Sequence, residues 1–350
     1  MNIAIIGCGL IGEKRLLACD VNHDHLLVCC DSDPGRAKKL QELWRTKSKK
    51  SLNYDTLVTS SVQEALDYPG VELAVVATTN QHLAEITIEA LRRNIHVLVE
   101  KPASRNLKEL LQVEAALLHS SASVKIGFNH RFHPAILKAK EIVDRGELGK
   151  IMFIRGRYGH GGRLGMEKEW RSNPTISGGG ELLDQGCHMI DLSRWFLGNE
   201  FQKISGKVGT FYWPMEVDDN AFMTLETHEK QLAWLHVSCS EWKNIFSMEI
   251  YGRDGKLMID GLGGSYGMER LTYYKMLPEM GPPDTTIYEY PRGDNSWREE
   301  LKHFKDYLQK SCIERAKVNS EGMLLGGVTD AISAMRVIDQ LYKDNGYDYH

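Results

Sequence analysis

Three sets of residues in this 350-residue chain have types and spacing suited to chemistry. The first is Gly7-Cys8-Gly9-Leu10-Ile11-Gly12, a GxGxxG turn whose last glycine is followed 19 residues later by Asp31. Glycines so spaced let a backbone turn tightly and come close to a pyrophosphate. A helix opening on them offers unpaired N–H groups and the positive end of its dipole. A carboxylate where Asp31 stands accepts hydrogen bonds from a ribose 2′-hydroxyl and repels a 2′-phosphate, so the pattern reads as a dinucleotide site that prefers NAD to NADP. Leu10, Ile11 and Ser32 belong to the same two turns, and Arg36 is near enough to soften the preference. The second set is Glu100-Lys101-Pro102, which ends an apolar run; the proline stops a strand ladder and holds Lys101 at the strand's carboxyl end. By position alone, a surface lysine at a strand end is an equal reading. The third is Asp184 and His188, four apart behind Ser177-Gly178-Gly179-Gly180. On one helix they share a face. A histidine titrates near neutrality and a carboxylate beside it can orient it or hold a substrate hydroxyl, a pairing suited to proton transfer. A helix-start carboxylate next to an ordinary buried histidine would look the same.

The elements that must position these residues alternate in type. Residues 2–6, 25–30, 73–78, 95–100 and 124–128 read as buried strands. Helical spacing runs from Leu10 to about residue 20 and over 34–47, 81–93 and 104–120. This order implies βαβ units, a parallel sheet and right-handed crossovers. Ligands bind such sheets at the carboxyl edge, where the glycine turn, Asp31 and Lys101 all fall. Later strands are expected at 151–158, 202–213, 219–228, 231–241, 244–252 and 255–260. Phe246, Met248 and Ile250 alternate with Ser247, Glu249 and Tyr251, as in a sheet with two unlike faces. Trp234, Trp242, Phe246 and Tyr251 are candidates for an exposed apolar face that needs a partner. Residues 273–283 read as irregular and 321–343 as helical. The glycine-rich stretch 159–174 reads as a substrate-facing loop. Its His160, Arg163, Lys168 and Arg171 would suit an anionic group on the substrate.

Composition limits the function classes. Lys plus Arg is 43 and Asp plus Glu 47, a net charge of −4, with no basic footprint for nucleic acid. Hydrophobic residues at 42% and charged residues at 26% fit a folded globular chain. No apolar run approaches the roughly 20 residues that span a bilayer. The cysteines (Cys8, Cys19, Cys29, Cys30, Cys187, Cys239 and Cys312) are odd in number and form no CxxC pair, so free thiols in a reducing compartment are expected. No His, Cys and acidic residues fall at metal-ligand spacing, and no metal is expected. The first residues lack the features of a signal peptide, so a cytoplasmic location is expected.

With GCGLIG at 7–12, Glu100-Lys101-Pro102, the run GFNHRFHP at 127–134 and GGGELLDQGCHMIDLSRW from Gly178, the chain resembles the glucose–fructose oxidoreductase, inositol dehydrogenase and rhizopine-catabolism (Gfo/Idh/MocA) oxidoreductases over essentially its whole length. The resemblance implies an α/β chain. Its N-terminal Rossmann domain would cover 1–125. An α+β domain over 126–350 would carry a large, mainly antiparallel open sheet for substrate binding and assembly, with the last helix packing back on the first domain. It implies Lys101, Asp184 and His188 as the catalytic set, and a homodimer or homotetramer formed through the open sheet. Gly7, Gly9, Leu10, Ile11, Gly12, Asp31, Ser32, Arg36, Thr78, Asn80, Glu100 and Lys101 are the expected cofactor contacts. Asn129, Arg131, Tyr158, Arg163, Arg171, Asp184 and His188 are the expected substrate contacts. One departure lies at Thr78-Thr79-Asn80-Gln81-His82-Leu83, where the family often has Thr-Pro-Asn-x-x-His. The expected reaction is NAD-dependent oxidation of a secondary hydroxyl on a sugar or cyclitol, free, phosphorylated or nucleotide-linked. The rival readings are a non-catalytic NAD-dependent regulator on the same scaffold and a dihydrodiol- or biliverdin-type reductase.

Overall fold

A computed structural model describes residues 1–48, 55–279, 281–310 and 326–348. The chain divides into two units. One takes in Met1–Phe128 and Trp297–Ile332, the other Asn129–Ser296 and Ser333–His350. Cys312 and residues 321–325 of the expected last helix lie outside the described residues.

The first unit is built on a six-stranded parallel sheet of β1 (Asn2–Ile6), β2 (His25–Cys30), β3 (Leu57–Thr59), β4 (Leu73–Val76), β5 (His96–Val99) and β6 (Val124–Ile126), in the order β3-β2-β1-β4-β5-β6. The crossovers are α1 (Leu10–Ala18), α2 (Pro34–Ser48), α3 (Val62–Asp67), α4 (Asn80–Arg92) and α5 (Leu107–Leu118). Strands buried on both faces need continuous apolar runs, and β1, β2, β4 and β5 have them. β3 and α3 escaped the sequence reading because the strand has only three residues. Ile6 pairs with both Cys30 and Val76, so the strand order reverses between β1 and β4. Helix α9 (Ser296–Leu308) returns to this unit late in the chain. Its Leu301, Phe304 and Tyr307 lie one helical face apart and join Ile3, Ile5, Leu16 and Trp44 in one core.

The second unit holds an eight-stranded sheet of β7 (Ile151–Gly159), β8 (Phe201–Gly209), β9 (Asn220–Thr227), β10 (Leu232–Ser238), β11 (Ile245–Gly252), β12 (Gly255–Asp260), β13 (Glu269–Lys275) and β14 (Asp284–Tyr290). Their order is β14-β13-β12-β11-β7-β10-β9-β8, antiparallel throughout except for the β7–β10 pair. The helices of this unit are α6 (Pro134–Asp144), the single turn α7 (Pro174–Ser177), α8 (Cys187–Leu197) and most of α10 (Val328–Asp344). Two expectations need correction. Tyr273–Lys275 are strand rather than irregular, because β13 pairs on both sides, with β12 and β14. Phe246 does not lie on the exposed face. It points inward with Met248 and Ile250, while Tyr251 and Phe153 stack on the opposite face with ring centres 4.3 Å apart. Trp234 is half exposed on β10, and Trp242 stands in a loop after the strand.

Candidate active site

At the carboxyl edge of the first sheet the three motif glycines do different work. Gly7 has φ +95°, and a Cβ there would run into the Ala77 carbonyl after β4. A Cβ on Gly12 would collide with the Gly7 carbonyl, so α1 packs on β1 only with glycine at that point. Nothing lies within 4 Å of a Cβ placed on Gly9, so the open side of the turn is there. Gly9 also caps α1 without a side-chain hydrogen bond. Exposed Leu10 and half-buried Ile11 begin that helix. Asp31 follows β2. One carboxylate oxygen accepts the Cys8 amide at 2.6 Å and the other the Asp33 amide at 2.9 Å, so Asp31 ties the glycine turn to the next strand. Ser32 is exposed, and Arg36 lies 3.5 Å from Asp33 rather than reaching back to the turn. Thr78 and Asn80 flank the start of α4; the Thr78 hydroxyl donates to the Thr79 carbonyl at 3.2 Å. Lys101 follows β5 directly. Glu100, expected as a cofactor contact, is 7% exposed and turned to Arg15, whose Nε lies 2.6 Å from its Oε1. Burial raises its pKa and the Arg15 charge opposes the rise. An open Gly9, an uncapped helix start and an acid at the end of β2 fit a dinucleotide bound across this edge.

In the second unit, a turn of π-helix at Leu182–Gly186 leads into α8. Asp184 lies in that turn and His188 in the first turn of α8, so a π turn rather than a regular α turn separates them. Such turns are frequent at functional sites. A Cβ on Gly156 of β7 would collide with the Met189 methyl, so α8 lies close against the sheet there. His188 is buried and stacks flat on His130, with ring centres 3.7 Å apart and planes 13° apart. Tyr158 stands edge-on to His130 at 5.2 Å and tilted against Tyr266 at 5.1 Å. Burial lifts the pKa of both tyrosines, so they remain neutral hydrogen-bonding groups. Gln185 donates to the Tyr266 hydroxyl at 3.4 Å, while its own amide oxygen is buried with no hydrogen-bond partner among the described residues.

The structure separates the expected substrate contacts. Tyr158, Asp184 and His188 gather around this cluster. Arg171 lies 3.7 Å from Asp184 and flat over Trp170. Arg131 and Asn129 point elsewhere. Arg131 forms a buried two-pronged pair with Asp191 at 2.8 and 2.5 Å, and Asn129 donates to the Ser296 hydroxyl at 2.8 Å. Arg131 is a buried charge that needs such a partner, and Asn129 a buried amide tied to Ser296. Arg163 pairs with Glu169 inside its own loop at 2.6 and 2.9 Å, so two of the loop's basic residues, Arg163 and Arg171, face acids.

Sequence reasoning missed several members of the cluster. His130 sits in the GFNHRFHP run, between Asn129 and Arg131, whose types suit a ligand contact as well as its own does. Glu181, only 5% exposed, has its Oε2 3.8 Å from His160. Asp218 is fully buried and supports the whole approach to α8. It accepts the Gly180 amide at 2.9 Å, the Leu182 amide at 2.7 Å and the Tyr342 hydroxyl at 2.7 Å. Burial pushes its pKa up to about 6, against the pull of those donors. The doublet Asp218-Asp219 just before β9 was the available signal, since Asp219 likewise accepts the amides of Phe211, Tyr212 and Trp213.

Comparison with known proteins agrees with this geometry. Residues 1–128 match the family described as an oxidoreductase family with an NAD-binding Rossmann fold, and residues 136–258 match the GFO/IDH/MocA C-terminal domain. The chain belongs to the Gfo/Idh/MocA oxidoreductase family. Its relatives include a levoglucosan dehydrogenase of Pseudarthrobacter phenanthrenivorans, 30% identical over 44% of this chain and 40% of that protein. That match thus spans less than half of the relative's length. Inositol 2-dehydrogenase 2 of Saccharopolyspora erythraea is 26% identical over 86% of this chain and 83% of its own. A solved levoglucosan dehydrogenase in complex with NADH shares the Gfo/Idh/MocA fold. It has a TM-score of 0.80 at 20% identity, covering 99% of this chain and 97% of that one. Among the described residues no helix is long and apolar enough to cross a membrane.

Proposed function

We propose that the protein oxidises a secondary hydroxyl of a neutral sugar or cyclitol with NAD⁺. The buried His188–His130 stack beside Asp184 carries this reading, because it offers a proton acceptor shielded from water next to groups that bind hydroxyls. NAD⁺ supplies the hydride acceptor when bound. Gly7, Gly9, Gly12 and Asp31 would hold it. His188 takes the hydroxyl proton, the Lys101 ammonium meets the charge that develops on the oxygen, and Asp184 accepts a neighbouring hydroxyl. Glu100 serves as a support inside the first unit rather than as a cofactor ligand.

A neutral substrate is favoured over a phosphorylated or nucleotide-linked one. Glu181 and Asp184 are acids, Arg163 is held by Glu169, Arg171 stands 3.7 Å from Asp184, and Tyr158, Tyr266 and Gln185 are neutral. The buried Gln185 oxygen gives a hydroxyl a ready acceptor. The test is a panel of free sugars, cyclitols, sugar phosphates and nucleotide sugars, read by NADH absorbance. The neutral polyols should be turned over and their phosphates poorly. A preference for phosphates would overturn the substrate class, and no turnover of any member would favour a regulatory protein.

Two further readings go with this. A second copy of the chain covers the exposed sheet face that carries Trp234, Phe153 and Tyr251, which sedimentation of the wild type against Trp234→Glu checks. Six buried free cysteines fit a reducing, cytoplasmic setting.

A further inference from the structure

One cation and two carboxylates lie buried together in the first unit, away from solvent. Arg15 is 1% exposed, Glu100 7% and Glu300 0%. The Arg15 guanidinium reaches Glu100 through Nε at 2.6 Å and a terminal nitrogen at 2.5 Å, and reaches Glu300 Oε2 through its other terminal nitrogen at 2.5 Å. The Trp297 ring lies over the guanidinium at 4.5 Å. A Cβ on Gly127 would stand 2.6 Å from the guanidinium and 3.1 Å from Glu100, so glycine there leaves the pair its room. Burying three charges is costly, and a structural core could be built without them. Their placement has a reason.

The cluster joins four elements that meet at the cofactor edge. Arg15 is on α1, the helix that opens on the glycine turn. Glu100 follows β5, Gly127 follows β6, and Glu300 comes from α9, nearly two hundred residues later in the chain. Glu100 is the residue from which Lys101 departs. Its amide donates to Val76 at 2.9 Å and its carbonyl accepts from Ala103 at 2.9 Å. With the side chain gripped by Arg15, Glu100 is fixed at three points. Counted with Lys101, two cations stand against two carboxylates in this part of the unit.

We infer that Arg15 and Glu300 are positioning residues for Lys101: the buried guanidinium, held from behind by Glu300, locks Glu100 and so registers the Lys101 backbone against the helix that opens on the glycine turn. The inference rests on the role given to Lys101 above. It adds that α9 is part of the catalytic apparatus of the first unit although none of its residues touches a reacting atom.

The test uses the full-length protein and the best polyol of the panel. Arg15→Met should lower kcat by about 30-fold or more while the KM for NAD⁺ changes by less than about threefold, the signature of a reacting group moved by a fraction of an ångström. Arg15→Lys should recover part of the loss; Glu300→Leu, which removes the acceptor behind Arg15, should lower kcat by about tenfold with the KM for NAD⁺ little changed, and Glu300→Gln, which keeps an acceptor, should recover part of that loss. Gly127→Ala leaves every charge in place but crowds the guanidinium, and should cost kcat about tenfold. It decides the matter if Arg15→Met fails to fold. Unchanged kcat in a folded Arg15→Met or Gly127→Ala would overturn the inference, as would a loss that follows only the loss of folded protein. A second readout does not depend on turnover. Pyridoxal 5′-phosphate trapped with borohydride, followed by peptide mapping, should label Lys101 at a rate that changes severalfold in Gly127→Ala; an equal rate would count against the inference. If none of the polyols supports reduction of NAD⁺ by the wild type, the proposed reaction fails, while this labelling still decides the positioning.

Discussion

Lys101 and His188 are held in place by opposite means. Lys101 stands at the end of a parallel strand, where the backbone is fixed by ladder hydrogen bonds and one buried ion cluster finishes the work. His188 stands past a glycine-rich turn and a π turn, and no strand end fixes it. It depends on a buried aspartate 30 residues away in sequence and on the face of another imidazole. Strand ends are positioned by the sheet they belong to, whereas a turn is positioned by whatever side chain satisfies its amides. The first can be read from a local pattern and the second cannot.

The largest effect should come from the two residues themselves. Lys101→Ala and His188→Ala should each lower turnover by about a thousandfold, roughly 4 kcal/mol of transition-state stabilisation, while NADH still binds in a fluorescence titration. If only one of them matters, the paired role fails and the contrast drawn here loses one side. Next is Arg131→Met, which strands Asp191 as a buried charge without its partner. Urea unfolding should show a loss of about 3 to 4 kcal/mol. A change confined to the substrate KM would instead return Arg131 to the substrate contacts.

Asp218 sharpens the comparison through pH. Its pKa in the fold, about 6, lies above the ordinary value of 3.8. The folded protein therefore binds more protons than the unfolded chain between those values. The stability this group contributes is present below 3.8 and is lost as pH rises through about 6. Other acids act in the opposite sense, so the comparison with Asp218→Asn isolates it. Between pH 7 and pH 4.5 the wild type should gain about 2 kcal/mol relative to the variant. Parallel curves for the two proteins would remove Asp218 as the ionised support of the turn. A smaller effect is expected at Asp31. Calorimetry should find NADH bound about tenfold more tightly than NADPH, and Asp31→Ala should narrow that gap. Loss of affinity for both cofactors alike would make Asp31 a brace for the Cys8 amide alone. Arg163→Ala should change stability by less than about 0.5 kcal/mol, since its pair with Glu169 is exposed.

The same contrast explains what could be read in advance. Gly7, Gly12, Asp31 and Lys101 follow the carboxyl ends of β1, β2 and β5, and the spacing from the glycines to Asp31 follows from the length of a βαβ unit. Glu300 reaches Arg15 across 285 residues, which no local pattern reports. His130 and Asp218 meet the α8 region only through tertiary packing, and the partner of Glu181, His160, lies 21 residues before it. Arg131 reads as a ligand contact because its type suits one; the structure pairs it with Asp191, 60 residues on, which no local pattern reports. β14 was missed for a different reason. Its residues are nearly all exposed, so it has no apolar alternation to show.

Hydride transfer from the substrate carbon to the nicotinamide is the central claim, and an isotope tests it most directly. The best polyol of the panel, deuterated at its carbinol carbons, should yield reduced cofactor that carries one deuterium per turnover at nicotinamide C4, and the label should vanish with activity in His188→Ala. Reduced cofactor without deuterium, or cofactor binding without any reduction, would contradict the account.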